Sequence, residues 1–302
     1  MTRRHATMRA VEAYVNTKLL RILPIPAAVL LCALAQSAAA DPPAFASSWV
    51  KEPHARARLI AGGQAADAPA GTIAAGIEIE LADGWKTYWR NPGSSGVPPL
   101  FDWSAASNLA SAEVRYPAPA RLADRGGDTI GYKQRLILPF IVRPADPKRE
   151  VALTLSLEYG VCKDICVPAQ VRLELVIPPG AEKQPVTSDL SRAFDRVPRS
   201  PGTRRPSDPE LSKSKVVLGG DKPEIRLDVT FPGGAEGADL FIEAPDGAWI
   251  PMAKPDGPPK GDRASFLVDL TEGADIADLK GKTARITMVS PRGQSEATLK
   301  LE

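Results

Sequence analysis

Cys162 and Cys166 stand three residues apart in Tyr159-Gly160-Val161-Cys162-Lys163-Asp164-Ile165-Cys166-Val167-Pro168, and Cys32 is the one other cysteine of the chain. Thiol–disulfide exchange needs one sulfur that a partner thiolate can attack in line and a second that can leave. A Cys-x3-Cys loop can offer both. A tie this local stabilises little: in the chain-entropy model a five-residue loop gains about 2 kcal/mol, against roughly 4.7 kcal/mol for a loop of 100 residues. The spacing therefore favours a working disulfide, with a structural staple and metal binding as the other two readings. Thiolates bind Zn or Cu(I) well, but His54 is the sole histidine beyond residue 40, and Met252 and Met288 lie far along the chain. A tetrahedral zinc site lacks ligands, a linear two-thiolate Cu(I) site is left open, and no cofactor or resident metal is expected. Inside the loop, Lys163 and Asp164 would act on a thiol in opposite directions.

The second chemical feature is the cluster Trp85, Tyr88 and Trp89 in Gly84-Trp85-Lys86-Thr87-Tyr88-Trp89-Arg90. As plain strand residues these rings fill a core; as site residues, Tyr88 or Trp89 lies beside the disulfide and limits water access. Trp103 and Trp249 have no such context and are expected in a core or an interface.

The elements that must position these residues are strands. Ile73 to Leu81 alternates apolar with polar, and Arg135 to Val142 is apolar almost throughout, as a strand covered on both faces would be. Val151, Leu153, Leu155 and Leu157 form one face before the cysteines, and Val171, Leu173, Leu175 and Ile177 repeat the pattern after them. Period-two alternation on both sides of a short loop predicts a hairpin with the cysteines near its tip. Pro178-Pro179-Gly180 then stops the sheet. Residues 181–215 turn rich in Pro, Ser, Arg and Lys and are expected to be a linker with one short helix, capped by Ser188 or Asp189. Five short strand candidates follow at Glu224–Phe231, Asp239–Glu243, Ala264–Leu270, Thr283–Val289 and Ala297–Leu301. The expected fold is all-β: two immunoglobulin-like sandwiches, at 41–180 and 216–302, joined by a Pro-rich linker.

Residues 1–40 have the form of an export signal. A basic leader (Arg3, Arg4, Arg9, Lys18, Arg21) precedes an apolar run from Ile22 to Ala35, and Ala38-Ala39-Ala40 gives an A-x-A cleavage pattern before Asp41. Pro24 and Pro26 break that run, which is too short to span a bilayer. Cleavage near Ala40 leaves 33 basic and 35 acidic residues. Such a balance offers no electrostatic footprint for nucleic acid or for an anionic membrane. An exported cysteine pair meets an oxidising compartment, where a disulfide forms and persists.

Three segments together resemble a known family: Gly84-Trp85-Lys86-Thr87-Tyr88-Trp89-Arg90-Asn91-Pro92-Gly93, Gly131-Tyr132-Lys133-Gln134-Arg135-Leu136-Ile137-Leu138-Pro139, and the cysteine loop from Tyr159 to Pro168. In this order they resemble the N-terminal periplasmic domain of the thiol:disulfide interchange protein DsbD and its ScsB-like relatives, over roughly Ala75 to Pro178. The resemblance implies an immunoglobulin-like periplasmic domain serving electron transfer of the kind used in cytochrome c biogenesis. Its cysteine pair takes electrons from an integral membrane thiol relay (DsbD-, ScsB- or CcdA-like). It passes them to periplasmic acceptors, thioredoxin-like proteins or disulfide isomerases. Carried over by position, Cys162 and Cys166 are the redox pair, with Cys166 the one attacked, and Tyr88 and Trp89 are the aromatics near it. Asp124 to Gly131 falls where the family has a cap loop, making Asp124, Asp128 and Tyr132 its candidate residues.

Three departures qualify the resemblance. The spacer between the cysteines is shorter than in the best-known members. The Asp124–Gly131 stretch has no aromatic residue. No membrane relay or thioredoxin-like domain follows, so a separate electron donor is expected. The rival function is a non-catalytic periplasmic binding module that keeps the disulfide only as a brace.

Overall fold

A computed structural model describes residues 44–123 and 127–302. The expected export signal, with its expected cleavage near Ala40, and Asp124 lie outside the described residues. No helix among the described residues is long and apolar enough to cross a membrane.

Twelve strands come first: β1 (Phe45–Ala46), β2 (Val50–Glu52), β3 (Ala55–Ala61), β4 (Ile73–Leu81), β5 (Lys86–Gly93), β6 (Leu100–Asp102), β7 (Leu109–Val114), β8 (Ala120–Leu122), β9 (Thr129–Lys133), β10 (Arg135–Pro144), β11 (Val151–Cys162) and β12 (Cys166–Ile177). They build two antiparallel sheets, ordered β1-β3-β4-β10-β7, with β2 on β3, and β12-β11-β5-β9-β8, with β6 on β11. Between the sheets lies a core of alternating inward residues, among them Ile77, Trp89, Phe140, Leu155 and Leu173. After helix α1 (Ser188–Asp195), seven more strands follow: β13 (Glu210–Val217), β14 (Glu224–Thr230), β15 (Asp239–Glu243), β16 (Lys254–Pro255), β17 (Arg263–Asp269), β18 (Thr283–Ser290) and β19 (Gly293–Lys300). They form sheets β13-β14-β17-β16 and β15-β18-β19 around a second core that includes Leu227, Phe231, Phe266 and Ile286. The all-β, immunoglobulin-like expectation holds.

The continuous apolarity of β10 has a direct cause. Its inward residues Leu136, Leu138 and Phe140 enter the core, while Ile137 meets Leu190 and Ala193 of α1 on the opposite face, together with Ile60 and Ala74. The helix cap is Thr187, whose hydroxyl accepts from the Leu190 N–H at 3.3 Å. Ser188 and Asp189 are not the cap; Asp189 is instead taken up by Arg135 and Arg192. β13 begins inside the stretch whose composition resembles a linker. A second helix, α2 (Ile276–Leu279), is present where one helix in all was expected, because four residues are too few to show a helical period. Trp103 is half-buried against Phe140, whereas Trp249 is 43% exposed and belongs to neither core.

The second sandwich meets the first along β5 and β8. Phe241 of β15 enters the first core, with its ring 5.8 Å from that of Trp89. The Arg90 guanidinium stacks on Trp89 at 4.4 Å and donates to Glu243 at 2.8 Å and Glu296 at 2.6 Å. Arg121 donates to Asp239 at 2.9 and 2.8 Å and to the Ala253 carbonyl at 2.8 Å. Carboxylates held by two guanidinium nitrogens are the strong, directional kind of ion pair.

Two predictions follow from this packing. Phe241→Ala removes an aromatic ring shared between the two sandwiches and costs about 3 kcal/mol of unfolding free energy, read as a lowered urea midpoint. Burial pushes the Tyr116 and Tyr159 phenols up to about 12. Raised folded values mean that their contribution is complete below pH ~10, where unfolded tyrosine titrates, and is lost as pH rises towards 12. Alkaline titration followed by phenolate absorbance should show these tyrosines ionising late and together with loss of structure.

Candidate redox site

β11 and β12 pair without interruption from Val151 opposite Ile177 to Cys162 opposite Cys166. The loop between them is Lys163-Asp164-Ile165, closed by the Lys163 N–H donating to the Ile165 carbonyl at 3.0 Å. A three-residue loop leaves its two flanking residues directly opposed, which brings their Cα atoms to 4.1 Å, and they are joined as a disulfide.

The pleat decides where the sulfurs point. Leu155, Leu157, Tyr159 and Val161 face the core, so Ser156, Glu158, Gly160 and Cys162 face outward. Outward parity normally means exposure, and Cys166 is exposed. Cys162 is not: only 1% of its surface is accessible. What covers it comes from β5. Tyr88 also faces outward, and its hydroxyl lies 2.9 Å from Cys162 Sγ, as donor, and 3.2 Å from Cys166 Sγ.

Two glycines let the Tyr88 ring lie flat across the strands. A Cβ on Gly160 would come within 3.0 Å of the ring, and one on Gly96 would come within 2.6 Å of it. The loop after β5 therefore closes on the ring from above, and Tyr88 is buried on what is nominally the solvent side of the sheet. Thr87, the intervening residue, donates to the Gly160 carbonyl at 2.9 Å and fixes β5 against β11.

The aromatic pair of the motif is thus divided. Tyr88 is at the disulfide, whereas Trp89 points the other way, into the core, where its ring meets Phe241. Tyr132 is also a core residue; it donates to the Pro117 carbonyl at 2.7 Å and does not reach the cysteines. Burial holds its phenol well above the ordinary value. Asp128, exposed at the start of β9, lies 3.7 Å from Arg121, which also holds Asp239. Of the candidates carried over by position, the structure brings together Cys162, Cys166 and Tyr88, and places Trp89 and Tyr132 elsewhere.

Lys86 escaped the sequence reading. It is the register partner of Cys162 across the β5–β11 pair, it is 5% exposed, and its ammonium donates to Thr129 Oγ1 at 3.1 Å, inside the protein. A lysine is rarely buried to this extent. The signal was available in its two-residue spacing from Tyr88, which puts both side chains on one face of β5.

The rim of the site is partly apolar. Ile165 in the loop is 68% exposed, and Val97 and Leu100 are exposed beside β11. Leu100 lies opposite Glu158 in the β6–β11 pair, and Val97 is the next neighbour of Gly160 after the Tyr88 ring. The rings of His54 and Trp85 stack at 3.8 Å.

Residues 56–178 match the family model described as "Thiol:disulfide interchange protein DsbD, N-terminal". Among solved structures the chain is similar to the N-terminal periplasmic domain of ScsB from Proteus mirabilis, with 21% identity and a TM-score of 0.64 over 85% of this chain and 98% of that one. At this identity the likeness is one of fold, and it extends over both sandwiches. The likeness to a marsupial T cell receptor, at 12% identity and a TM-score of 0.19, is too low to carry an argument. No curated protein matches in sequence. A disulfide-bonded cysteine pair in a domain of this kind supports thiol–disulfide exchange as its general chemistry. Residues 56–178, which hold Tyr88, Cys162 and Cys166, are the part of the chain that matches the DsbD N-terminal family model, as the sequence motifs led one to expect.

Proposed function

We propose that the protein is a periplasmic thiol–disulfide exchange component that receives electrons from a membrane thiol relay and delivers them to partner disulfides through Cys162 and Cys166. The observation that carries this reading is the asymmetry of the pair. Cys166 is exposed at the hairpin tip, while Cys162 is buried under a hydroxyl aimed at its sulfur. Exchange requires that difference, because an attacked sulfur must be reachable and a leaving sulfur must be stabilised as it takes up charge.

In the proposed step a donor thiolate attacks Cys166 Sγ. The Cys162–Cys166 bond breaks, a bond between the donor sulfur and Cys166 forms, and Cys162 departs with the electron pair as a thiolate. The second donor thiolate then attacks the donor sulfur of the mixed disulfide, leaving the donor oxidised and both cysteines of this protein reduced. Running the same sequence in reverse against an oxidised acceptor passes the two electrons on. Tyr88 supplies the hydrogen bond that the Cys162 thiolate needs, and such a bond to a charged acceptor is worth about 1.5–3 kcal/mol.

Equilibration with glutathione buffers tests the reading. An exchanging pair titrates within reach of the glutathione couple; a pair still oxidised well below about −300 mV is a structural brace and returns the protein to the binding-module reading. Cys162→Ser should accumulate a mixed disulfide through Cys166 on non-reducing gels, and Cys166→Ser should not. Tyr88→Phe should leave the fold intact and slow exchange with a small disulfide about tenfold, measured by stopped-flow fluorescence.

A further inference from the structure

Resting on that exchange reading, we infer that Lys86 is a positioning residue for the chemistry, whose ammonium stabilises the thiolate of Cys162. Lys86 and Cys162 are directly opposed on neighbouring strands, and both side chains belong to the outward face of the sheet. Directly opposed residues on one face have Cβ atoms about 5 Å apart. Both are nevertheless removed from water, at 5% and 1% exposure. The lysine chain is held in place at its far end, where Nζ donates to Thr129 Oγ1 at 3.1 Å, and Thr129 is itself fully buried. A cation fixed on the strand that pairs with Cys162, with water excluded, acts through a field that salt screens poorly.

The burial of Cys162 poses the problem that this cation answers. Desolvation disfavours a thiolate, so a buried leaving sulfur departs reluctantly unless donors and cations offset the penalty. Tyr88 provides the donor at 2.9 Å, and Lys86 provides the charge. Among the described residues, other charged groups beside the pair are Lys133, the next residue along the same row on β9, and Lys163 and Asp164 in the loop. All three are exposed, so water and salt weaken their effect on the sulfur. Because Cys162 carries the charge in the mixed disulfide whichever partner is attached, the lysine serves reduction and oxidation of the pair alike.

The test uses the Cys166→Ser protein, in which Cys162 is the one thiol of the mature chain, and follows thiolate absorbance and iodoacetamide alkylation against pH. Lys86→Met should move the midpoint of thiolate formation upward and lower alkylation near neutral pH about tenfold, one pH unit of ionisation being a factor of ten. Lys86→Arg should restore the rate to within about twofold of the parent. Lys133→Met, at the exposed end of the row, should change it by less than about twofold. Thr129→Val, which removes one hydrogen bond of the ammonium and keeps its charge, is the second variant should Lys86→Met fail to fold, and it should lower the rate about threefold. An unchanged midpoint in folded Lys86→Met or, where that variant does not fold, in Thr129→Val overturns the inference, as does an equal loss with arginine in place. The outcome is separable from the exchange reading. A midpoint that depends on Lys86 in a protein whose native disulfide resists glutathione keeps the electrostatic role and removes the exchange function. A pair that exchanges normally with a midpoint indifferent to Lys86 does the reverse.

Discussion

The unbroken register of β11 and β12 is the constraint from which the site follows. Twelve consecutive pairs run from Val151 opposite Ile177 to Cys162 opposite Cys166. A slip of one residue would turn the outward row of β12 into the core. That cannot happen cheaply, because Val171, Leu173, Leu175 and Ile177 are buried and Gln170, Arg172 and Glu174 are not. The apolar face of the hairpin therefore fixes the parity of both cysteines, far from any residue that touches sulfur. Parity alone would expose both. The covering Tyr88, with the loop folded over it, reburies one of them and creates the asymmetry on which the proposed exchange would depend.

β5 is where the two sandwiches and the site meet. Three consecutive residues serve three environments: Tyr88 at the sulfurs, Trp89 in the core, Arg90 on the second sandwich. Pairing of β5 with β9 is irregular between Tyr88 and Gly93. This irregularity lets Arg90 swing over the face of Trp89 rather than continue the outward row. The bidentate grip of Glu243 and the contact with Glu296 then hold Arg90, while Phe241 packs on the ring beneath it. The second sandwich thus bears on the strand that carries Tyr88 and Lys86. Its packing against β5 helps to keep that strand, and the hydroxyl aimed at the sulfurs, in a single arrangement.

The hairpin was legible because its signal is local and repeated: eight apolar residues at period two, split by a short loop. The second face of β10 was legible for the same reason, although α1, which covers it, was recognised without its cap. Thr187 precedes the residues that look like caps, and only the backbone geometry distinguishes among three adjacent polar side chains. The assignment of Tyr88 and Trp89 was not legible in detail. Both are large and aromatic, and which one faces the sulfurs depends on the parity of β5, a non-local choice made by its pairing with β11. Lys86 was hidden by a sound habit: a lysine in alternation with inward residues is normally a solvated surface group. It is buried here because other parts of the chain return to cover the outward face, which no local pattern records. Tyr132 failed as a cap residue on similar grounds, since β9 turns Ile130 and Tyr132 inward and leaves Thr129 and Lys133 to the outward row.

A site whose polar groups are buried on the outer face of a sheet has a different economy from one buried in a core. The core side is set by apolar packing and tolerates no charge, whereas the outer side can be covered by loops that leave an edge open to a partner. Cys166 sits at that edge and Cys162 one strand in, so in the proposed exchange a partner would need to reach one sulfur while the displaced charge appears on the other. Separating the place of contact from the place of charge would let the exposed apolar side chains Ile165, Val97 and Leu100 meet a partner in the proposed exchange without penalising the thiolate. In the proposed exchange the mixed disulfide would carry the same buried Cys162 thiolate whichever partner forms it.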